Sequence, residues 1–178
     1  IVFCCKSSIK EWSPNNIHEQ CSGSEIMLIN LAKKLSQKFR VFVFGDIIEG
    51  NYEGVEYFSF NKMFEFCNSY IIDYLIISRN CEYLLYLPNI LNVYLWVHDV
   101  HPGQHNFQLQ YHKTKLKKVL TLSNWHKEKI INCFGIDHKY VDITYNAINT
   151  DRFINKQYHK IPFRFIYSSD FVRGLDYL

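Results

Sequence analysis

The sequence predicts an α/β protein built on a doubly wound, mostly parallel sheet, and three observations predict it. Short apolar runs alternate with segments of helical period along the whole chain. Two of those runs, DYLIIS at 73–78 and NVYLWV at 92–97, are apolar on both faces, as strands are when helices cover both sides of a parallel sheet. Between the first two runs, Leu28, Leu31, Ala32, Leu35 and Phe39 fall on one face of a helix. The length of 178 residues, 48% of them apolar, suits one globular domain with a sizeable core.

The elements follow in order. IVFCC at 1–5 opens the chain as a buried strand. A long loop, KSSIKEWSPNNIHEQCSGSE, leads to a helix from Gly23 to Phe39, whose start is marked by Ser22 and Glu25 at capping-box spacing. Strands are expected at 40–45, 55–60, 73–78, 92–97, 117–123 and 140–145. A second helix is expected over 123–134, with Ser123 as N-cap and Gly135 as its stop. The first residue is not Met and lies on a strand, so the amino terminus is expected to be trimmed.

Composition narrows the function. A net charge of +3 gives no global reason to expect a nucleic-acid partner. The six cysteines form no C-x-x-C pair and several lie in apolar runs, which favours a reducing, cytoplasmic setting over a disulfide framework. No apolar run reaches the length of about 18 residues expected of a membrane span.

Doubly wound sheets bind ligands beyond the carboxyl ends of their strands, so the loops after strands carry the candidate residues. The first loop is long enough to suggest a role, and it ends on Ser22-Gly23-Ser24 at a helix start, where backbone N–H groups favour an anion. The plain alternative is a capped helix with glycine at a tight turn. After the strand at 92–97 come His98, Asp99, His101 and His105. His98 is placed to act as acid, base or hydrogen-bond donor, with Asp99 to orient it or to bind a hydroxyl. The same four residues could instead form the metal site of a hydrolase. Ser123 turns a second helix start toward the ligand side, while Trp125 and His126 read as packing and surface residues. The basic run HKTKLKK at 112–118 reads first as a solvated face. Arg173, after a strand and a Ser-rich loop, has the makings of a diphosphate clamp, and a solvent-exposed Arg is the alternative.

The order of motifs is familiar as a set. SGSEIMLINLAKKLSQKFRVFVFG, LWVHD, VLTLSNWHKEKIINCFGI, NAINTDRF and FIYSSDFVRGLDYL together resemble a glycosyltransferase of family four with the GT-B fold, over nearly the whole chain. The resemblance implies two Rossmann-like domains facing a cleft. It makes residues 1–150 the acceptor-side domain, and 151–178 the connection with the first strand and helix of a truncated donor-nucleotide domain. It implies a retaining, metal-independent enzyme with no cofactor. That enzyme would move a sugar from a nucleoside-diphosphate sugar to a glycan, lipid or protein acceptor, with peripheral membrane contact left open. Residue by residue, Gly23 matches the glycine-bearing turn near the donor phosphate and sugar. His98 matches the histidine beside the reacting sugar, and Arg173 the basic residue that holds the diphosphate. The sequence departs from the family pattern at Asn146-Ala147, where Asn-Gly is usual, and at Ser168-Ser169-Asp170, where a second Arg is common. The fragment by itself is expected to be inactive, since half the cleft lies in the missing domain. A non-catalytic sugar- or nucleotide-binding module is the remaining reading.

Overall fold

A computed structural model describes residues 1–6, 11–17, 19, 21–87, 90–101, 115–147, 150, 154, 159 and 161–165. Ile1–Ala147 forms one compact unit and Ile148–Leu178 a second. Within the second, the described stretch Ile161–Phe165 contains a turn in which Arg164 N–H donates to the Ile161 carbonyl at 3.3 Å. Arg173 and the rest of the expected strand and helix of the tail lie outside the described residues, as do His105 and 112–114 of the basic run.

The first unit is a sheet in which every expected strand is present. The elements are β1 (Val2–Cys5), α1 (Gly23–Leu35), β2 (Val41–Gly45), β3 (Gly50–Tyr52), β4 (Val55–Ser59), α2 (Met63–Ser69), β5 (Leu75–Ser78), β6 (Val93–Trp96), β7 (Lys118–Thr121), α3 (Asn124–Phe134) and β8 (Val141–Ile143). The sheet order among the described residues is β3-β4-β2-β1-β5-β6-β7-β8. All pairs are parallel except β3 with β4. The chain runs outward from β1 to β4, then returns to the other side of β1 at β5. The point where strand order reverses therefore lies between β1 and β5, and it is beyond the carboxyl ends of the strands at such a point that open α/β sheets bind ligands.

Strand alternation gives the sheet two cores. Val2, Cys4, Phe42 and Phe44 join Met63 of α2 and Ile130 and Phe134 of α3 on one face. Phe3, Cys5, Val41 and Val43 join Leu28, Ile29 and Ala32 of α1 on the other. Both faces of the central strands are thus removed from water, which explains why those strands read as unbroken apolar runs. Cys4, Cys5, Cys67 and Cys81 are buried, and Cys5 Sγ lies 4.0 Å from Glu25 Oε1.

Three features differ from the expectation. α1 stops at Leu35, so the helical period no longer governs Phe39, which is 49% exposed. β3 and α2 carry too few periodic residues to stand out; β3 forms because Glu53 and Gly54, with φ of 52° and 82°, make the two-residue left-handed turn that matches strand twist. The first loop is tied down in its middle. Trp12 is fully buried beside Tyr57, donates its N–H to Asp46 O at 3.1 Å and accepts from Ile48 N–H at 2.9 Å.

Candidate functional site

The site assembles from four chain passages at the carboxyl ends of the strands. The first is the start of α1. Ser22 is its N-cap and the expected capping box with Glu25 is present. The Glu25 carboxylate accepts the Ser22 N–H at 2.9 Å and the Ser22 and Ser24 hydroxyls as well. It is 1% exposed. A buried carboxylate therefore already occupies the positive end of this helix, which weakens the case for a free anion at the same N–H groups. Gly23 is different. A Cβ built there meets nothing within 4 Å, and its φ is not left-handed, so nothing in the fold itself calls for glycine. Gly45 provides the contrast, because a Cβ there would lie 2.2 Å from the Cys5 carbonyl where β1 and β2 pair. Neither a left-handed φ nor a close neighbour among the described residues accounts for glycine at Gly23.

The second passage follows β5. Arg79 has φ of 70°, and Asn80 N–H donates back to Ser78 O at 2.9 Å, a three-residue γ-turn. Its guanidinium sends Nε at 3.1 Å and Nη2 at 2.8 Å to Asp99 Oδ2, and Nη1 at 3.3 Å to Ser24 Oγ.

The third passage is the end of β6, where Val97 N–H still pairs with Leu120 O at 2.9 Å. His98 follows, with its ring 4.6 Å from that of Trp96. Its Nε2 is buried and has no hydrogen-bond partner among the described residues. Burial lowers its pKa to about 4, the Arg79 guanidinium pushes in the same direction, and the Asp99 and Glu25 carboxylates only partly oppose them. The ring is thus neutral at pH 7, with one nitrogen able to donate and one to accept.

The fourth passage is the start of α3. Ser123 caps it as expected, its hydroxyl accepting His126 N–H at 3.1 Å. Trp125 is 65% exposed, whereas His126 is 5% exposed. Its Nδ1 faces Leu122 N–H at 3.4 Å, which leaves Nε2–H to donate to the Asp99 carbonyl at 3.0 Å.

These contacts form one chain of hydrogen bonds. It runs from Ser22 through Ser24 (3.0 Å) to Arg79, on to Asp99, and through His126 to Ser123. Of the residues singled out from the sequence, Ser22, Gly23, Asp99 and Ser123 are so brought to one region, with His98 next to Asp99. His101 is exposed. Among the described residues no three His, Cys, Asp or Glu side chains gather as a metal site would require. Lys118 of the basic run bonds to Asp142 at 3.0 Å and to Lys139 O at 2.7 Å. Among the described residues no helix is long and apolar enough to cross a membrane.

Sequence reasoning missed Arg79, the link from Ser24 to it, and the structural part played by His126. Arg79 lies in an S-R-N stretch with no motif around it, and only the return of β5 beside β1 gives it a role. His126 had one legible signal, its place three residues after a capping Ser.

No protein-family model matches the sequence, and no curated protein matches it. Solved structures match by shape. The crystal structure of Anabaena Alr3699/HepE in complex with UDP and glucose gives a TM-score of 0.56 at 15% identity, over 84% of this chain and 45% of that one. The same protein in complex with UDP-glucose gives 0.55 at 15% identity, over 84% and 44%. WaaG, a glycosyltransferase involved in lipopolysaccharide biosynthesis, gives 0.56 at 11% identity, over 85% and 46%. The fold is that of the Rossmann-like amino-terminal domain of a GT-B glycosyltransferase. At these identities the likeness is one of fold. The chain spans less than half the length of each of these structures.

Proposed function

We propose that the chain is the acceptor-side part of a family-four glycosyltransferase. It would transfer a hexose from a nucleoside-diphosphate sugar to a glycan, lipid or protein acceptor, with retention and without a metal. The observation that carries the reading is the buried Nε2 of His98, which has no hydrogen-bond partner among the described residues, just past the end of β6 and beside a carboxylate held by Arg79. A neutral imidazole and a carboxylate oxygen suit sugar hydroxyls, which both donate and accept. The neighbours' bound UDP and glucose support a nucleotide-sugar as the ligand class.

In this reading His98 touches the reacting sugar and orients it, and Asp99 accepts from a hydroxyl. Gly23 lets the donor come close to the backbone of α1. Ser22 and Ser123 hold the two helix starts at the carboxyl ends of the strands. Arg173 belongs to the second domain's contribution, where a cation stabilises negative charge growing on the departing diphosphate. The boundary at 150–151, a cytoplasmic setting and a peripheral membrane contact are parts of the same proposal.

The test uses the full-length protein with a panel of nucleotide sugars, UDP-glucose first, with and without chelator. Slow release of nucleoside diphosphate from one donor, unaffected by chelator, is expected. His98→Ala should lower that release strongly with the fold intact. Absence of release from every donor, together with stoichiometric zinc lost on substitution of His98 or His101, would replace the transferase by the hydrolase reading.

A further inference from the structure

Arg79 carries a feature that packing alone does not explain. Its φ of 70° is one that L side chains rarely adopt, and the γ-turn built on it is among the strained ones. Glycine or asparagine would take this conformation more easily. The turn is nevertheless fixed from three sides. Asn80 Nδ2 donates to Lys6 O at 2.8 Å, at the end of β1. Arg79 N–H donates to Trp96 O at 2.9 Å, at the end of β6. The guanidinium then reaches Ser24 on α1 and Asp99 after β6. Arg79 and Asn80 together so tie the passages after β1, β5 and β6, at the point where the strand order reverses.

The way it binds Asp99 is informative. Both Nε and Nη2 converge on the single oxygen Oδ2. The other oxygen, Oδ1, has no hydrogen bond among the described residues, and the carboxylate is 55% exposed. Nη1 is taken by Ser24. A ligand anion at Arg79 would have to displace Asp99, whereas a ligand hydroxyl could use the free carboxylate oxygen with the ion pair intact.

We propose that Arg79 is a positioning residue: held in a strained turn, its guanidinium locks Asp99 and the adjoining His98 against the start of α1, leaving the second carboxylate oxygen and the histidine ring for the hydroxyl groups of a bound sugar. The sugar part of this statement rests on the transferase reading. The locking part does not.

The experiment compares the full-length wild type with Arg79→Asn, Arg79→Lys and Asp99→Asn. Asparagine accepts the left-handed backbone, so its loss of function reports the guanidinium and not misfolding. The first readout is the titration of the His98 ring by NMR, which needs no substrate. It should move up in Arg79→Asn and down in Asp99→Asn. An unmoved His98 in Arg79→Asn overturns the lock. The second readout is nucleoside-diphosphate release. Arg79→Asn should lower kcat about a hundredfold with the donor KM little changed, as displaced reacting groups do, and Arg79→Lys should recover part of it. A donor KM that rises while kcat holds overturns the proposal, as does inorganic phosphate that perturbs the Arg79 signals in wild type and not in Arg79→Asn, which would make Arg79 an anion receptor. If the wild type releases nothing from any donor, the transferase reading fails and the sugar clause with it. The His98 titration then still decides the lock.

Discussion

The starts of α1 and α3 are built on the same plan and used differently. Each follows a parallel strand, each has Ser as N-cap, and in each the third helical residue is buried and folds back to accept a backbone N–H. In α1 that residue is Glu25, which takes the Ser22 N–H. In α3 it is His126, which takes the Leu122 N–H. Glu25 accepts from Ser22 and Ser24 at its own helix start and from the Cys5 thiol of β1 at 4.0 Å, while the connection to Arg79 runs through Ser24. His126 makes the connection itself, by donating to Asp99 O. A carboxylate only accepts, so it satisfies N–H and O–H groups near it. An imidazole accepts at one nitrogen and donates at the other, so it can close its own helix and hold a second loop. The neighbouring residue follows suit: Ser24 is buried and bonded, while Trp125 at the matching place is exposed.

If the two starts differ in this way, removing them should have unequal consequences. The largest effect is expected for His126→Ala, which opens a buried space and strands the Asp99 carbonyl. We expect a loss of about 3 kcal/mol in urea unfolding, with the His98 NMR signal broadened. A loss below about 1 kcal/mol would mean that His126 does not hold the loop. Glu25→Gln keeps the shape and an acceptor for Ser22 N–H, so about 1 kcal/mol is expected and His98 should keep its sharp signal. Should Glu25→Gln disturb His98 as much as His126→Ala does, the assignment of the hold on the Asp99 loop to His126 collapses. Ser123→Ala removes only the hydroxyl cap of α3 and should cost about 1 kcal/mol.

A pH series sharpens the comparison further, since His98 lies between the two helix starts. Its folded pKa of about 4 is below the usual 6.5. Between those values the unfolded chain binds a proton that the folded chain does not, so stability should rise with pH from about 4 to 6.5. Above that range the contribution is flat. Replacing His98 by Asn should reduce the slope, and an unchanged slope would show that other groups set it. The smallest effect on stability is expected for Gly23→Ala, under about 0.5 kcal/mol, because its Cβ has open space around it. Its expected effect is on the ligand instead: weaker binding of UDP-glucose in calorimetry with the full-length protein. Equal binding by Gly23→Ala would remove the glycine from the site.

Much of the fold was legible because it rests on local pattern. Alternating apolar runs announced β1, β2 and β4 through β8, and the Ser-x-x-Glu spacing and Gly135 marked the helix ends. Gly135 does take a left-handed φ of 57° at the end of α3. The short elements β3 and α2 were not legible, since three or seven residues carry little period, and Phe39 was misplaced because the end of α1 has no strong stop signal. At the site, His98, Asp99, Ser22, Gly23 and Ser123 were legible as residues that follow strands. Of their partners, only Glu25 was, by its capping-box spacing from Ser22.

The sequence alone determined which longer segments are strands, that both faces of their sheet are covered, and that the loops after the strands hold the polar residues. Those properties follow from side-chain period and apolar burial, which act over a few residues at a time. Only the tertiary structure decided that β5 returns beside β1, and everything at Arg79 depends on that. Its guanidinium meets Ser24 and Asp99, which are 55 and 20 positions away in sequence, because the order of strands brings their ends together. His98 Nε2 is buried there, with the Arg79 guanidinium acting on the ring and no hydrogen-bond partner for Nε2 among the described residues. Burial and charge pairing across such distances are properties of the packed sheet, and no local spacing encodes them.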